Sequence, residues 1–119
     1  MKLRTLRLAM MGLAVAVLAG TAGSRAAVGQ ETPNARFRVK IVDFAFTPKN
    51  MQVRIGDTIT WTNNGTMIHT STANNGHWNS GNLAPGASFT FRFMTPGLFP
   101  YRCTLHPIQM TGNVRVIQP

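Results

Sequence analysis

The sequence predicts an all-β protein, a sandwich of seven to eight short strands. Three observations lead to this fold class. Apolar and polar residues alternate with a period of two in several short segments, which is typical of strands that bury one face. Glycine, proline and asparagine separate these segments at short intervals. After the N-terminal segment, no stretch shows the 3.6-residue apolar period of an amphipathic helix.

The predicted strands follow one another from residue 36 to the end of the chain. Their core-facing residues are expected to be Phe37, Val39, Ile41, Val53, Ile55, Ile59, Trp61, Phe89, Phe91, Phe93, Val114 and Val116. Residues 44–50 are expected to turn the chain, residues 67–72 to form a strand, and residues 73–86 to form a loop that holds Trp78. Because a domain this small buries only about 60 to 65% of its unfolded surface, the seven phenylalanines are expected to supply much of the core.

The first 29 residues have the layout of a secretory signal peptide. Basic residues precede an apolar run over residues 8–19, and small residues follow it. We therefore expect cleavage between residues 24 and 29, a folded domain over residues 30–119, and a periplasmic or otherwise exported location. The apolar run is too short to span a bilayer comfortably, so membrane anchoring is expected only if the leader is not cleaved.

Cys103 is the only cysteine in the chain, although exported proteins usually pair their cysteines. His106 and Met110 follow it, and His69 lies upstream. Thiolate and thioether donors select Cu(I), and imidazole accepts either oxidation state. Two histidines, one cysteine and a weak axial methionine describe an electron-transfer copper site. The alternative is an inert buried thiol in a metal-free sandwich that binds a ligand or a protein.

The arrangement of a distant histidine and a later Cys/His/Met loop resembles the cupredoxins, or blue copper proteins, and most closely the plastocyanin, amicyanin and pseudoazurin group. The resemblance covers nearly all of the chain after the leader and includes Ser80–Gly86 and Pro96–Cys103. It implies a Greek-key sandwich that binds one type 1 copper ion and is not an enzyme. The ligands that it implies are His69, Cys103, His106 and Met110.

The axial ligand has a competing candidate within the same loop. Met110 lies four residues after His106, whereas amicyanin-like loops place the methionine three residues after it, where this chain has Gln109. We favour Met110 because thioether is the softer donor, and Gln109 stays the alternative. Thr70 stands where many members of the family carry asparagine, so the hydrogen bonds of that amide are not expected here.

The function implied by the resemblance is that of an exported protein that carries single electrons between redox partners by Cu(I)/Cu(II) cycling. A periplasmic copper carrier or scavenger would use the same ligands and is the alternative. Partners are expected to dock transiently where His106 reaches the surface. The residues expected to surround it are Leu105, Pro107, Ile108, Met67 and Leu83.

Charge and composition narrow the choice of partners. The net charge is +9, and from residue 30 onward eight basic and three acidic side chains leave +5. We expect a monomer with an acidic redox partner, such as a cytochrome or an oxidoreductase. Nucleic acid is not expected, because the basic residues are scattered along strands. With three acidic residues in the chain, hydrolytic chemistry is not expected either. His77 is expected to be an exposed loop residue and not a ligand.

Overall fold

The computed structural model describes residues 34–119, so the predicted signal peptide lies outside the described residues. Eight strands and no α-helix occur in this range, which confirms the predicted all-β class. The strands are β1 (Arg36–Val42), β2 (Ala45–Thr47), β3 (Asn50–Arg54), β4 (Thr58–Asn63), β5 (Thr72–Ala73), β6 (Ser88–Arg92), β7 (Gly97–Arg102) and β8 (Thr111–Ile117). No helix in the described part of the chain is long and apolar enough to cross a membrane.

The strands form two four-stranded sheets with the orders β2-β1-β4-β6 and β3-β8-β7-β5. β1 pairs with β4 in parallel, and β3 pairs with β8 in parallel, while the remaining pairs are antiparallel. Parallel neighbours cannot be joined by a tight hairpin. The chain therefore crosses repeatedly from one sheet to the other, and this crossing closes the two sheets into a sandwich.

The inner faces of the two sheets form the hydrophobic core. Alternation along β1 and β4 buries Val39, Ile41, Ile59 and Trp61, as the pattern predicted. Trp78 comes from the long loop after β5 and stacks on Trp61 with ring centroids 5.5 Å apart. The prediction that this loop would hold Trp78 is confirmed. Because Trp78 fills the space between the sheets, it ties the loop to the core.

Two segments and one side chain differ from the sequence prediction. Residues 44–50 contain the strand β2, whose three residues are too few to show a pattern but pair with the end of β1. Residues 67–72 form no continuous strand, because His69 makes only an isolated bridge to Leu83. Phe44 is 44% exposed, so it is not part of the core. Its backbone φ angle is +127°, a region that few residues other than glycine adopt.

Candidate metal centre

His69 is delivered by the segment between β4 and β5. Its backbone is clamped to the loop that contains Leu83, because His69 N–H donates to the Leu83 carbonyl at 3.1 Å and Leu83 N–H donates back at 2.8 Å. The imidazole is fully buried. A buried ring with both backbone groups bonded has little freedom to move, so the segment presents Nδ1 and Nε2 in fixed directions.

Cys103, His106 and Met110 come from the loop between β7 and β8, which closes on itself through the backbone. His106 N–H donates to the Cys103 carbonyl at 3.2 Å, and Met110 N–H donates to the His106 carbonyl at 3.0 Å. Cys103 N–H donates to the Met110 carbonyl at 3.0 Å, which closes the loop. Three backbone hydrogen bonds within eight residues make this a compact loop with a constrained backbone.

The structure brings the two histidines and the cysteine together. Their donor atoms all lie within 4.8 Å of one another. Cys103 Sγ is 3.8 Å from His69 Nδ1 and 3.7 Å from His106 Nδ1. Transition-metal bonds of about 2.3 Å to sulfur and about 2.0 Å to nitrogen, arranged trigonally, would separate sulfur from nitrogen by about 3.7 Å. The donor set and its spacing therefore fit a copper ion bound by sulfur and two imidazoles.

The two candidates for the axial ligand lie in different environments. The side chain of Met110 is fully buried and belongs to the core cluster, whereas Gln109 is exposed to solvent. His106 is half-buried, in contrast to the fully buried His69 and Cys103. Of the four residues that the sequence singled out, His106 is thus the one with an edge toward solvent.

Thr70 links the two segments that carry these residues. Its N–H points at Cys103 Sγ at 3.3 Å, and its hydroxyl accepts the N–H of Thr104 at 2.9 Å. The amide of the family's asparagine is absent, but the threonine hydroxyl still joins the His69 segment to the cysteine loop. Hydrogen bonds to a metal-bound thiolate are one means by which a protein sets a reduction potential.

Comparison with known proteins identifies the family. A family model described as a cupredoxin-like domain matches residues 9–116. The chain is a member of the cupredoxin family. Copper is accordingly its cofactor, and electron transfer is the general role of a small cupredoxin of this kind. The resemblance drawn from the sequence is confirmed.

Two amicyanins are similar to this cupredoxin in sequence. Amicyanin-alpha of Methylorubrum extorquens is 32% identical over 111 residues, which span 85% of this chain and 87% of that protein. Amicyanin of Paracoccus denitrificans is 31% identical over 126 residues, which span 87% of this chain and 92% of the relative. A solved structure, a purple cupredoxin from Nitrosopumilus maritimus, has 28% identity and a TM-score of 0.62, and the match covers 67% of this chain and 98% of that one.

Asp43 is a neighbour of the centre that the sequence reasoning missed. Its Oδ1 lies 2.7 Å from His69 Nε2, the ring nitrogen that faces away from the sulfur. Hydrogen bonds hold the pKa of this carboxyl well below its usual value. The bond from the Thr66 hydroxyl has the largest effect, and the bond with His69 has the next largest. A single acidic residue in a turn is a weak signal. The parallel pairing of Ile41 with Asn63 is what places the end of β1 beside the segment that leads to His69.

Exposed apolar side chains lie on the two segments that carry the donors and on the turn after β1. Residues 34–119 contain seven exposed large apolar side chains, and five of them form what we call the apolar rim: Phe44, Met67, Ile68, Leu105 and Ile108. The ring of Phe44 stands edge-on to His106, with centroids 5.1 Å apart. Leu83 was expected on this surface, but that prediction is wrong: it is 6% exposed because its backbone pairs with His69 and its side chain joins the core.

His77 lies away from the donor cluster. It is exposed in the long loop, as predicted, and its ring rests on Phe99 with centroids 4.6 Å apart. The group of potential metal donors found among the described residues does not include it.

Proposed function

We propose that this cupredoxin is an exported carrier of single electrons, in which His69, Cys103 and His106 bind copper and Met110 is the axial ligand. The observation that carries the proposal is the convergence of one sulfur and two imidazole nitrogens, within 4.8 Å, in a buried pocket. Copper, when bound, supplies a one-electron couple between Cu(II) and Cu(I). The burial of Met110 and the exposure of Gln109 support the axial assignment.

The surrounding chain is suited to holding the ligands in one arrangement. His69 is fixed by its backbone pairing with Leu83, and the cysteine loop is closed by its own hydrogen bonds. Ligands that do not move between oxidation states need little rearrangement when an electron arrives. A rigid, dry pocket therefore favours fast transfer over the release of metal, and this is why an electron carrier is preferred here to a copper carrier.

His106 is the proposed route for the electron. It is half-buried, and the apolar rim stands on the segments around it. An apolar contact area of this kind suits small, transient redox encounters, which bury less surface than stable complexes. We propose that redox proteins dock at the rim and that the basic surface of the chain attracts acidic ones. We also propose that the chain is an electron carrier and not an enzyme.

The test begins with the visible spectrum of the full-length gene product, expressed with its own leader and loaded with Cu(II). The proposal expects an intense band from thiolate-to-copper charge transfer that disappears on reduction and is absent in Cys103→Ser. Thr104→Ser is a control, since it changes a neighbouring hydroxyl-bearing side chain and keeps the thiol. A colourless protein with weak copper binding would contradict the proposal. Rapid copper release with slow electron self-exchange would instead favour the carrier or scavenger.

Export is part of the same proposal and has its own measurement. The intact mass of the protein recovered from the periplasm should match a chain that begins between residues 25 and 30, as the signal-peptide layout predicts. A protein that stays in the cytoplasm at full length would contradict export without affecting the copper site.

A further inference from the structure

Asp43 is the one carboxylate of the described chain that contacts the donor cluster. Its Oδ1 lies 2.7 Å from His69 Nε2, and the side chain of Asp43 is 25% exposed while that of His69 is fully buried. The opposite ring nitrogen, His69 Nδ1, faces Cys103 Sγ. The imidazole therefore stands between the carboxylate on one side and the sulfur on the other, with one nitrogen committed to each.

The carboxylate is held in place independently of the histidine. Thr66 donates its hydroxyl to Asp43 Oδ2 at 2.6 Å and its N–H to the same oxygen at 3.0 Å. Gly65 leaves the space that this requires, because a Cβ at that position would collide with Oδ1. Asp43 follows β1, and Thr66 lies between β4 and His69. The carboxylate thus joins two parallel strand ends and presents Oδ1 to the imidazole.

We propose that Asp43 is a positioning residue of the copper site, which keeps the proton of His69 on Nε2 and biases the site toward Cu(II). The proposal rests on the ligand role proposed above for His69. A carboxylate that accepts Nε2–H fixes the ring orientation and makes the other nitrogen a stronger donor. A fixed negative charge beside a ligand also stabilises the more highly charged oxidation state more strongly.

The expected size of the effect follows from comparable sites. Loss of a carboxylate that orients a metal-bound histidine costs about 10- to 100-fold in metal affinity. We expect Asp43→Asn to weaken Cu(II) binding by at least about tenfold and Cu(I) binding by less. The reduction potential should then rise, by about 59 mV for each tenfold change in the ratio of the two affinities.

The experiment measures the reduction potential and both copper affinities of the wild type, Asp43→Asn and Asp57→Asn. Asp57→Asn is the matched control: it removes the same charge from the opposite end of β4, where Asp57 accepts the N–H groups of Ala35 and Arg54. The proposal expects a raised potential in Asp43→Asn and little change in the control. Equal potentials in all three proteins would overturn the charge effect.

A measurement on the metal-free protein tests the positioning role. It uses only the wild type, so the folding of a variant cannot affect the result. In the metal-free wild type, at a pH where imidazoles are neutral, the nitrogen-15 NMR shifts of His69 should show the proton on Nε2. A proton on Nδ1 would overturn the proposal. If the wild type gives no thiolate-to-copper band but His69 carries its proton on Nε2, the proposed function has failed while the positioning of His69 by Asp43 stands.

Discussion

Neighbouring residues of the loop between β7 and β8 have opposite environments. Met110 is fully buried and Gln109 is exposed, although they are adjacent in the chain. The backbone of Met110 is tied at both its N–H and its carbonyl, to His106 and to Cys103. These two hydrogen bonds fix the loop with the Met110 side chain turned inward, which is why burial distinguishes two candidates that the sequence left open.

Substitution of Met110 tests the axial assignment. We expect Met110→Leu to raise the reduction potential and to keep the intense colour, because it removes a weak soft donor and leaves the thiolate bond. Gln109→Leu is the matched control and should leave the potential unchanged. Potentiometry of both variants decides between Met110 and Gln109 as the axial ligand. A raised potential in Gln109→Leu, with no change in Met110→Leu, would reverse the assignment.

Tyr101 offers a test of burial through its ionisation. It is 1% exposed, and burial raises its pKa to about 12. Since the folded pKa lies above the unfolded value, this group favours folding below pH 10, and its contribution falls as pH rises from about 10 to about 12. The loss should approach about 1.4 kcal/mol per pH unit within that window.

The measurement uses the fact that Tyr101 is the only tyrosine in the chain. Tyrosinate absorbance therefore reports this residue alone, and it should appear near pH 12 in the folded protein and near pH 10 in denaturant. Tyr101→Phe should flatten the dependence of the free energy of unfolding on pH in this window. Titration near pH 10 in the folded protein would show that the ring is not buried as described.

At the scale of elements, three segments meet at one end of the sandwich. They are the turn after β1, the segment between β4 and β5, and the loop between β7 and β8. The first is linked to the second by Asp43 and His69, and the second to the third by Thr70 and Thr104. Each also contributes exposed apolar side chains to the rim. The same three segments thus provide both the metal site and the surface over it.

Electron self-exchange between two copies tests the role of the rim without a known partner. We expect Ile108→Ser to slow self-exchange by about tenfold, equivalent to about 1.4 kcal/mol, because Ile108 is 92% exposed and follows His106 by two residues in the chain. Leu98→Ser is the matched control, since Leu98 is 53% exposed but lies near the start of β7, at the end away from Cys103. NMR line broadening in mixtures of oxidised and reduced protein gives the rates. Equal slowing in both variants would exclude a specific role for the rim.

At the scale of the whole molecule, basic side chains far outnumber acidic ones in the described domain. Residues 34–119 contain eight lysines and arginines but only two acidic side chains, Asp43 and Asp57. Both carboxylates accept backbone N–H groups, and Asp57 is buried. The outer face of β1 exposes Arg36, Arg38 and Lys40. A molecule of this kind attracts anions over a distance set by the ionic strength.

The rate of oxidation by hexacyanoferrate(III), a small anion, measures this attraction. We expect the second-order rate constant to fall by about threefold or more from low to physiological salt, as the Debye length shortens from about 30 Å to about 8 Å. Lys40→Glu should lower the low-salt rate more than Arg36→Glu. Both variants change the charge equally, but Lys40 lies nearer the end of β1 that leads to Asp43. A rate constant that does not depend on salt concentration would contradict electrostatic steering.

The local sequence pattern was sufficient to predict much of the fold. Alternation placed Val39, Ile41, Ile59 and Trp61 in the core, because a strand directs successive side chains to opposite faces wherever it lies. The single cysteine and its neighbouring histidine and methionine pointed to copper for a similar reason, since the chemistry of the donors belongs to the residues themselves. These conclusions needed no knowledge of how distant segments pair.

Tertiary structure alone decided what lies around the donors. Asp43 and His69 are 26 residues apart, and they meet only because β1 pairs in parallel with β4 in a particular register. The burial of Leu83 and the exposure of Phe44 likewise depend on a bridge and a turn that no local pattern encodes. The sequence by itself determined most of the strands and the types of donor, because both are local properties. The fold determined the contacts of each donor, because those depend on the register between segments distant in the chain.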